Sequence, residues 1–495
     1  PHVKWRRSLQ SALRPGGTQR GGKVRISIAA NKMKNWLKWS ETRLLGVDRA
    51  LLKSIFYQRL AKLASCDLAT PKILLLEAQP ERFLGSLMAA ITAECWLFLG
   101  NPHWSDRDRQ SVLEYINPDA IWNDTDLDFI NAKSPSMGFR DRVPSVKICI
   151  PTGGTSGQIR FAVHTWETLS ASVAGFAEYF DTAIVNSCCT LPLYHVSGLM
   201  QWMRSLLTGG TLAIVPSYKN LCDRVPDNFD PDRFFISLVP TQLHRLLQYP
   251  NVAQWLSRFQ TVLLGGAPAW PSLLDRARKY RIPVAPTYGS TETASQIATL
   301  KPDEFLAGHE NCGRILPHAG VTICDENGEA LPAGKIGTVT VRSRSLFLGY
   351  YDRDRCTSNL HGQTDILTNN DDKNFVTDDL GYFDDRGYLH IVGRNSQKII
   401  TGGENVYPAA VEAAIRSTDL VIDIAVIGIE DPEWGQAVTA IYVPKTAAIC
   451  EQILKAAVVE KLSKYEQPKR WIKISAIPRN DRGKVNYKML QEIVN

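Results

Sequence analysis

Residues 149–165 read C-I-P-T-G-G-T-S-G-Q-I-R-F-A-V-H-T, and no other stretch says as much about the fold. Val146, Ile148 and Ile150 alternate as a short strand does. The chain then enters a loop that carries Gly153, Gly154 and Gly157 among Thr152, Thr155 and Ser156. Glycines let backbone N–H groups approach a ligand closely and hydroxyls add donors, so such a loop is built to receive phosphate. It is not the P-loop of the nucleoside triphosphatases, because no lysine followed by Ser or Thr closes it. Loops of this composition are also ordinary turns, so taken alone the stretch leaves both readings open.

Outward from this loop, short apolar runs alternate with longer helical patterns. Residues 72–77, 146–150, 211–215, 235–239 and 261–264 read as buried strands, with helices expected over 81–97 and 166–180. That rhythm predicts an α/β body of mostly parallel β-sheets with flanking helices. Near residues 320–350 the pattern turns to β with glycine-containing turns, which predicts a small added β subdomain. From about residue 395 the pattern changes again. Pro408 stands where a helix would start, strands follow at 424–429 and 438–443, then a helix near 453–462 and alternation at 471–474. This predicts a small α+β C-terminal domain.

Composition bounds the rest. A chain of 495 residues with 44% hydrophobic and 22% charged residues is globular and too long for one ordinary domain. No apolar run approaches the roughly 18 residues of a membrane span. The ten cysteines lack metal-ligand spacing, which suits a reducing, cytoplasmic setting. The net charge of +7 is concentrated at one end: residues 1–40 hold ten Lys and Arg and no acid, leaving −3 for residues 41–495. A general nucleic-acid surface is therefore not expected. Residues 1–32 form a basic tail with three readings: a transit segment, a disordered arm, or sequence ahead of a true start at Met33.

Further segments stand out in order. Residues 191–200 read L-P-L-Y-H-V-S-G-L-M, and a lone histidine such as His195 is most often a core residue. Residues 237–243 read S-L-V-P-T-Q-L, a strand end entering a helix at Pro240. Residues 263–268, L-L-G-G-A-P, place two glycines directly after a strand, where a flat ring or ribose could lie on exposed backbone. Residues 287–293 read T-Y-G-S-T-E-T, and residues 377–381, T-D-D-L-G, are expected to set two carboxylates ahead of a turn. Residues 393–405 read G-R-N-S-Q-K-I-I-T-G-G-E-N, and residues 478–486 read P-R-N-D-R-G-K-V-N. Each has a bland reading as a turn or a solvated charge.

Taken in order, these segments resemble the adenylate-forming superfamily of acyl- and aryl-CoA ligases, luciferases and peptide-synthetase adenylation domains. The resemblance covers residues 40–495. It implies an N-terminal body over 33–393, a hinge at 394–398, a small mobile C-terminal lid over 399–495, and an active site between body and lid. Within the superfamily the segments at 191–198, 238–243, 263–268 and 288–296 are most similar to the o-succinylbenzoate–CoA ligases of menaquinone and phylloquinone synthesis. The loop and the H-T-W-E-T-L after it resemble the cyanobacterial form.

What the resemblance implies is a two-step reaction: a carboxylate and ATP give an acyl-adenylate and diphosphate, and the CoA thiol then displaces AMP. Thr152, Gly153, Gly154, Thr155, Ser156 and Gly157 would cradle the β- and γ-phosphates. Glu292 would hold Mg²⁺ and Thr291 would lie near the α-phosphate. Gly265, Gly266, Ala267, Tyr288 and Gly289 would form the adenine site, and Asp379 and Arg394 the ribose site. Lys484 would bridge the attacking carboxylate and the α-phosphate. Gly402, Gly403 and Glu404 would line the path of the CoA arm, and His195 the acyl pocket. Arg204 lies in an apolar stretch, where a cation either snorkels to the surface or binds an acid; the resemblance favours the second carboxylate of an aromatic diacid, with Ser295 and Gln296 beside it. The implied partners are small molecules only: the diacid, ATP and CoA.

The chain departs from its relatives at three places. Gln158 and Arg160 stand where lysines usually follow the loop, Gln397 stands at the usual hinge aspartate, and T-D-D replaces T-G-D. The ribose contact is accordingly assigned to Asp379, not Asp378. Rival readings are another acyl- or aryl-CoA ligase, an enzyme that passes its adenylate to a carrier, and an inactive nucleotide-binding scaffold.

Overall fold

The computed structural model describes residues 29–66, 68, 70–124, 127–128, 146–153, 159–215, 217–223, 225–226, 229–353, 374–479 and 485–494. They fall into two compact units. One gathers the described residues of Pro1–Asn220, Ser290–Ser295 and Arg344–Asp372, and the other those of Leu221–Gly289, Gln296–Ser343 and Lys373–Asn495. No helix among the described residues is long and apolar enough to cross a membrane.

In the first unit, strand Lys72–Leu76 pairs in parallel with Trp96–Leu99 on one side and Ala120–Asn123 on the other. Trp96–Leu99 pairs in parallel with Lys147–Gly153. The side chains of these strands divide by period two. Ile73, Leu75, Leu97, Leu99, Ile148 and Ile150 enter one apolar cluster, while Leu74, Leu76, Phe98 and Cys149 enter another. Both faces are thus buried, which is why Lys72–Leu76 and Trp96–Leu99 read as near-continuous apolar runs. The sheet is mixed: Lys147–Gly153 turns back antiparallel into Ile159–His164, which pairs with Gly349–Tyr350. A smaller parallel group joins Leu44–Leu45, Leu212–Ile214 and Asn186–Cys189.

The expected helix over 81–97 runs instead as Pro80–Thr92, followed by strand Trp96–Leu99. Phe83, Leu84, Leu87 and Met88 face the core at helical spacing, each stabilising the fold by about 1.5–3 kcal/mol. The helix stops because Glu94 takes a left-handed backbone, φ 55°. Helix Trp166–Tyr179 starts at a reciprocal cap between Thr165 and Thr168.

In the second unit, Phe234–Leu238, Thr261–Leu264 and Val284–Ser290 form a parallel group, and Ser295–Thr299 pairs antiparallel with Arg314–Ile315. The β subdomain is a four-stranded antiparallel sheet of Ala319–Cys324, Gly337–Ser343, Asn374–Phe383 and Leu389–Arg394. Residues 377–381 are not ahead of a turn, as expected, but inside strand Asn374–Phe383; the turn comes after it, where the Gly387 N–H donates to the Asp384 carbonyl. Past the 3₁₀ turn Asn395–Gln397 lies the C-terminal sheet, whose long pair Val421–Asp431 and Gly435–Pro444 is flanked by Ile399–Thr401 and by Arg470–Lys473. One face buries Ile424, Val426, Val438 and Ala440 beneath helices Pro408–Arg416 and Glu451–Val458, and the other buries Ala425, Ile427 and Ile441 with Leu490 of helix Tyr487–Val494.

Candidate active site

The first unit carries the turn Ser290–Ser295, and its backbone is fixed with little slack. The Thr293 hydroxyl accepts the Ser290 N–H (2.9 Å) and donates to the Ser295 carbonyl (2.6 Å). Ala294 (φ 52°) and Ser295 (φ 98°) take left-handed backbones, strain that the surrounding contacts hold in place. Four successive carbonyls each receive a donor from a distant part of the chain, two of them from residues 345–347. His164 Nε2–H donates to the Thr291 carbonyl (2.8 Å), the Phe347 N–H to Glu292 (2.8 Å), the Ser345 hydroxyl to Thr293 (2.9 Å) and the Ser172 hydroxyl to Ala294 (2.8 Å). Sequence reading missed all four donors; His164 lies inside the opening stretch, and Ser172, Ser345 and Phe347 stand in no motif.

His164 is fully buried and uses both ring nitrogens. A carbonyl can only accept, so Nε2 bears the proton and Nδ1 accepts from the Thr168 hydroxyl (3.0 Å). Burial lowers its pKa from 6.5 to about 4. The unfolded chain therefore takes up a proton that the folded chain refuses between those values, and stability falls as pH drops from about 6.5 to about 4, by up to roughly 3 kcal/mol. Denaturation midpoints compared at pH 7 and pH 5 should show a smaller drop in His164→Gln than in the parent chain; an equal drop would assign the loss to other groups.

The Glu292 carboxylate is 8% exposed. Its Oε1 accepts the Tyr350 hydroxyl at 2.8 Å, and the Arg160 guanidinium lies 3.6 Å over the Tyr350 ring. Thr291 is buried beside it, and Thr152 stands opposite Arg160 in the hairpin. Gly153 closes strand Lys147–Gly153, whereas Gly154, Thr155, Ser156 and Gly157 lie outside the described residues.

His195 is buried at the entry of helix Val196–Thr208, edge-on to the Tyr194 ring. Gly198 is required one turn on, because a Cβ there would sit 2.1 Å from the Pro192 carbonyl oxygen. Arg204 on the same helix does not snorkel: it is 2% exposed, donates to the Ser295 hydroxyl (3.0 Å), and lies 4.1 Å over the Phe176 ring. Burial lowers its pKa to about 9. Gln296 is buried in the second unit and donates to the Thr299 hydroxyl (2.9 Å).

In the second unit, Gly265, Gly266 and Ala267 follow strand Thr261–Leu264, and Tyr288 and Gly289 end strand Val284–Ser290. The Tyr288 hydroxyl donates to Asp379 Oδ2 (2.8 Å); burial, reinforced by this carboxylate, raises the phenol pKa. Arg394, opposite Asp379 in the sheet register, brings Nε to 3.4 Å from Oδ1. Neighbours on a strand point to opposite faces, and Asp378 accordingly serves another purpose: it accepts the backbone N–H (3.0 Å) and the hydroxyl of Ser396 in the 3₁₀ turn.

Gly402 (φ 59°) and Gly403 (φ 82°) form the tip between Ile399–Thr401 and Glu404–Val406, with Glu404 exposed. The Gly402 N–H donates to the Trp434 carbonyl (2.9 Å), and a Cβ at 402 would lie 3.1 Å from the Trp434 ring. Lys469 Nζ sits 4.0 Å over that ring. Neither contact to this tip, from Trp434 or through Lys469, was legible in the sequence. Lys484 lies outside the described residues.

The first unit carries a buried carboxylate on a strained turn and the second a tyrosine–carboxylate–arginine cluster, and the comparison with known families places the chain among the AMP-binding enzymes. The family model of the AMP-binding enzymes matches residues 83–351, and that of their C-terminal domain matches residues 410–484. The chain belongs to this family, the adenylate-forming superfamily.

Among its relatives, 2-succinylbenzoate–CoA ligase of Bacillus anthracis is 32% identical over 349 residues, spanning 70% of this chain and 69% of the relative. The Bacillus cytotoxicus enzyme of the same name is 32% identical over 358 residues, with the same shares covered. Among solved structures, o-succinylbenzoate CoA synthetase of Bacillus subtilis in complex with its acyl-adenylate intermediate superposes with a TM-score of 0.75 at 24% identity, over 92% of this chain and 98% of that one. ATP-bound MatB of Rhodopseudomonas palustris gives 0.75 at 23% identity, over 93% and 98%. At these identities the two structures establish the fold: an α/β body of mixed sheets followed by a small C-terminal domain.

Proposed function

We propose that this adenylate-forming ligase activates 2-succinylbenzoate with ATP as an acyl-adenylate and transfers it to CoA, releasing AMP and diphosphate, in phylloquinone or menaquinone synthesis. The observation that carries the choice of acid is Arg204. A guanidinium held inside an apolar helix face, sharing a hydrogen bond with Ser295 on the strained turn, is suited to a substrate bearing a second carboxylate. The identity to the Bacillus 2-succinylbenzoate–CoA ligases supports the same acid.

The first step gathers negative charge at the α-phosphorus, so its donors must be fixed beforehand. Residues 152–157 receive the phosphates, Tyr288 and residues 265–267 and 289 hold the base, and Asp379 with Arg394 grips the ribose hydroxyls. The Thr291 hydroxyl lies near the α-phosphate, and the Glu292 carboxylate is the hard oxygen donor that Mg²⁺ favours. Bound there, Mg²⁺ would supply Lewis-acid charge neutralisation at the phosphates. Lys484 draws the substrate carboxylate to the α-phosphate, and His195 lines the acyl pocket.

In the second step residues 402–404 border the CoA arm. Gly402→Leu is expected to depress thioester formation more than adenylate formation, at about 1–2 kcal/mol of stability for the left-handed backbone. Single-turnover assays of each half-reaction check the ranking, and the reverse order would remove this loop from the CoA path.

The test of the acid is mass-spectrometric detection of thioester from ATP, Mg²⁺ and CoA with 2-succinylbenzoate, benzoate, 4-coumarate and a medium-chain fatty acid. Strong preference for 2-succinylbenzoate is the expected result. Preference for another acid would keep the two-step chemistry and overturn the pathway.

A further inference from the structure

Arg160 stands where relatives usually carry a lysine, and residues 349–351 read G-Y-Y. The structure joins the two. Strand Ile159–His164 leaves the phosphate loop and pairs with Gly349–Tyr350, which sets Tyr350 opposite Ala162. From there the Tyr350 hydroxyl reaches Glu292 Oε1 at 2.8 Å, while the Arg160 guanidinium covers the Tyr350 ring at 3.6 Å. The Phe347 ring packs edge-on against Tyr350 from the same segment, at 4.9 Å between centroids. Among the described residues, the Tyr350 hydroxyl is the hydrogen-bond donor to Glu292 Oε1.

We infer that Tyr350 is a positioning residue for the Glu292 carboxylate, and that Arg160, stacked on its ring, fixes the tyrosine. This inference rests on the reading of Glu292 as the metal carboxylate. A carboxylate with one oxygen tied by a phenol keeps a single rotamer and offers the other oxygen in a fixed direction, as outer partners of metal ligands do. The planar guanidinium suits the stacking; a lysine ammonium in its place would be a compact, strongly hydrated charge with no flat face to lay on the ring. The strand that leaves the phosphate loop is thereby tied to the group that would meet the phosphate-bound metal.

The test measures Mn²⁺ affinity by electron paramagnetic resonance of the free ion, in the full-length protein with a non-hydrolysable ATP analogue. Glu292→Gln should abolish the protein-dependent tightening of Mn²⁺ binding. Tyr350→Phe, which keeps the ring, should weaken Mn²⁺ binding about tenfold. Arg160→Gln should weaken it about threefold, and neither of the last two should shift the denaturation midpoint enough to account for its loss. Unchanged Mn²⁺ affinity in Tyr350→Phe, with Glu292→Gln still defective, overturns the positioning role and leaves the metal role standing. If Glu292→Gln itself binds Mn²⁺ as the parent does, the metal role falls and the inference with it.

Discussion

Replacing Lys484 with alanine is expected to lower adenylate formation by on the order of 10²–10³-fold, while thioester formation from pre-made adenylate and CoA stays near the parent rate. The reason is where charge gathers. When a carboxylate attacks the α-phosphate, two anions must come within bonding distance, and a cation bridging them acts on that encounter alone. In the second step a thiol or thiolate attacks the acyl carbon and AMP leaves with the electron pair of the broken C–O bond, so a cation bridging the carboxylate and the α-phosphate has far less to offset. Single-turnover assays of the two half-reactions decide the matter: an equal loss in both would make Lys484 a structural residue.

Arg204→Leu is the second large effect. Its guanidinium is buried against Phe176 and hydrogen-bonded to Ser295. A charge-assisted bond to a substrate carboxylate is worth about 1.5–3 kcal/mol, so KM for 2-succinylbenzoate should rise roughly 10–100-fold. Slow turnover of benzoate, which lacks the second carboxylate, should be spared. Folding stability need not suffer, since leucine fills the apolar helix face without the cost of a desolvated cation. Steady-state kinetics with both acids check this, and an unchanged KM for the diacid would remove Arg204 from the acyl pocket.

The class of the fold was legible because each apolar run was short and punctuated by turn residues. Where a run was continuous the reading slipped: the residues from Glu81 to Leu97 look like one helix until Glu94 reverses the backbone and Trp96–Leu99 joins the sheet. Candidate residues carried by local motifs can be followed from the sequence into the structure. Tyr288, Asp379 and Arg394 stand in separate short motifs, and the structure brings them within hydrogen-bonding or ion-pairing reach of one another through Asp379. Arg204 was legible as an anomaly, a cation among apolar neighbours. By contrast His164, Ser172, Ser345 and Tyr350 look ordinary in their own surroundings. Their meaning depends on which distant backbone they meet, and single-sequence periodicity holds no such information. Asp378 is intermediate: its departure from the usual glycine was visible, but its Ser396 partner was not.

The tethered turn Ser290–Ser295 has a kinetic consequence. Its donors His164 and Ser172 lie 127 and 122 residues away along the chain, and Ser345 lies 52 away. Closing such long loops is entropically slow and comes after local helices have formed. The turn therefore takes its final shape only when the whole unit has condensed around it. In refolding experiments the far-ultraviolet helix signal should return ahead of adenylating activity; simultaneous recovery would mean that the turn forms from its own short-range contacts.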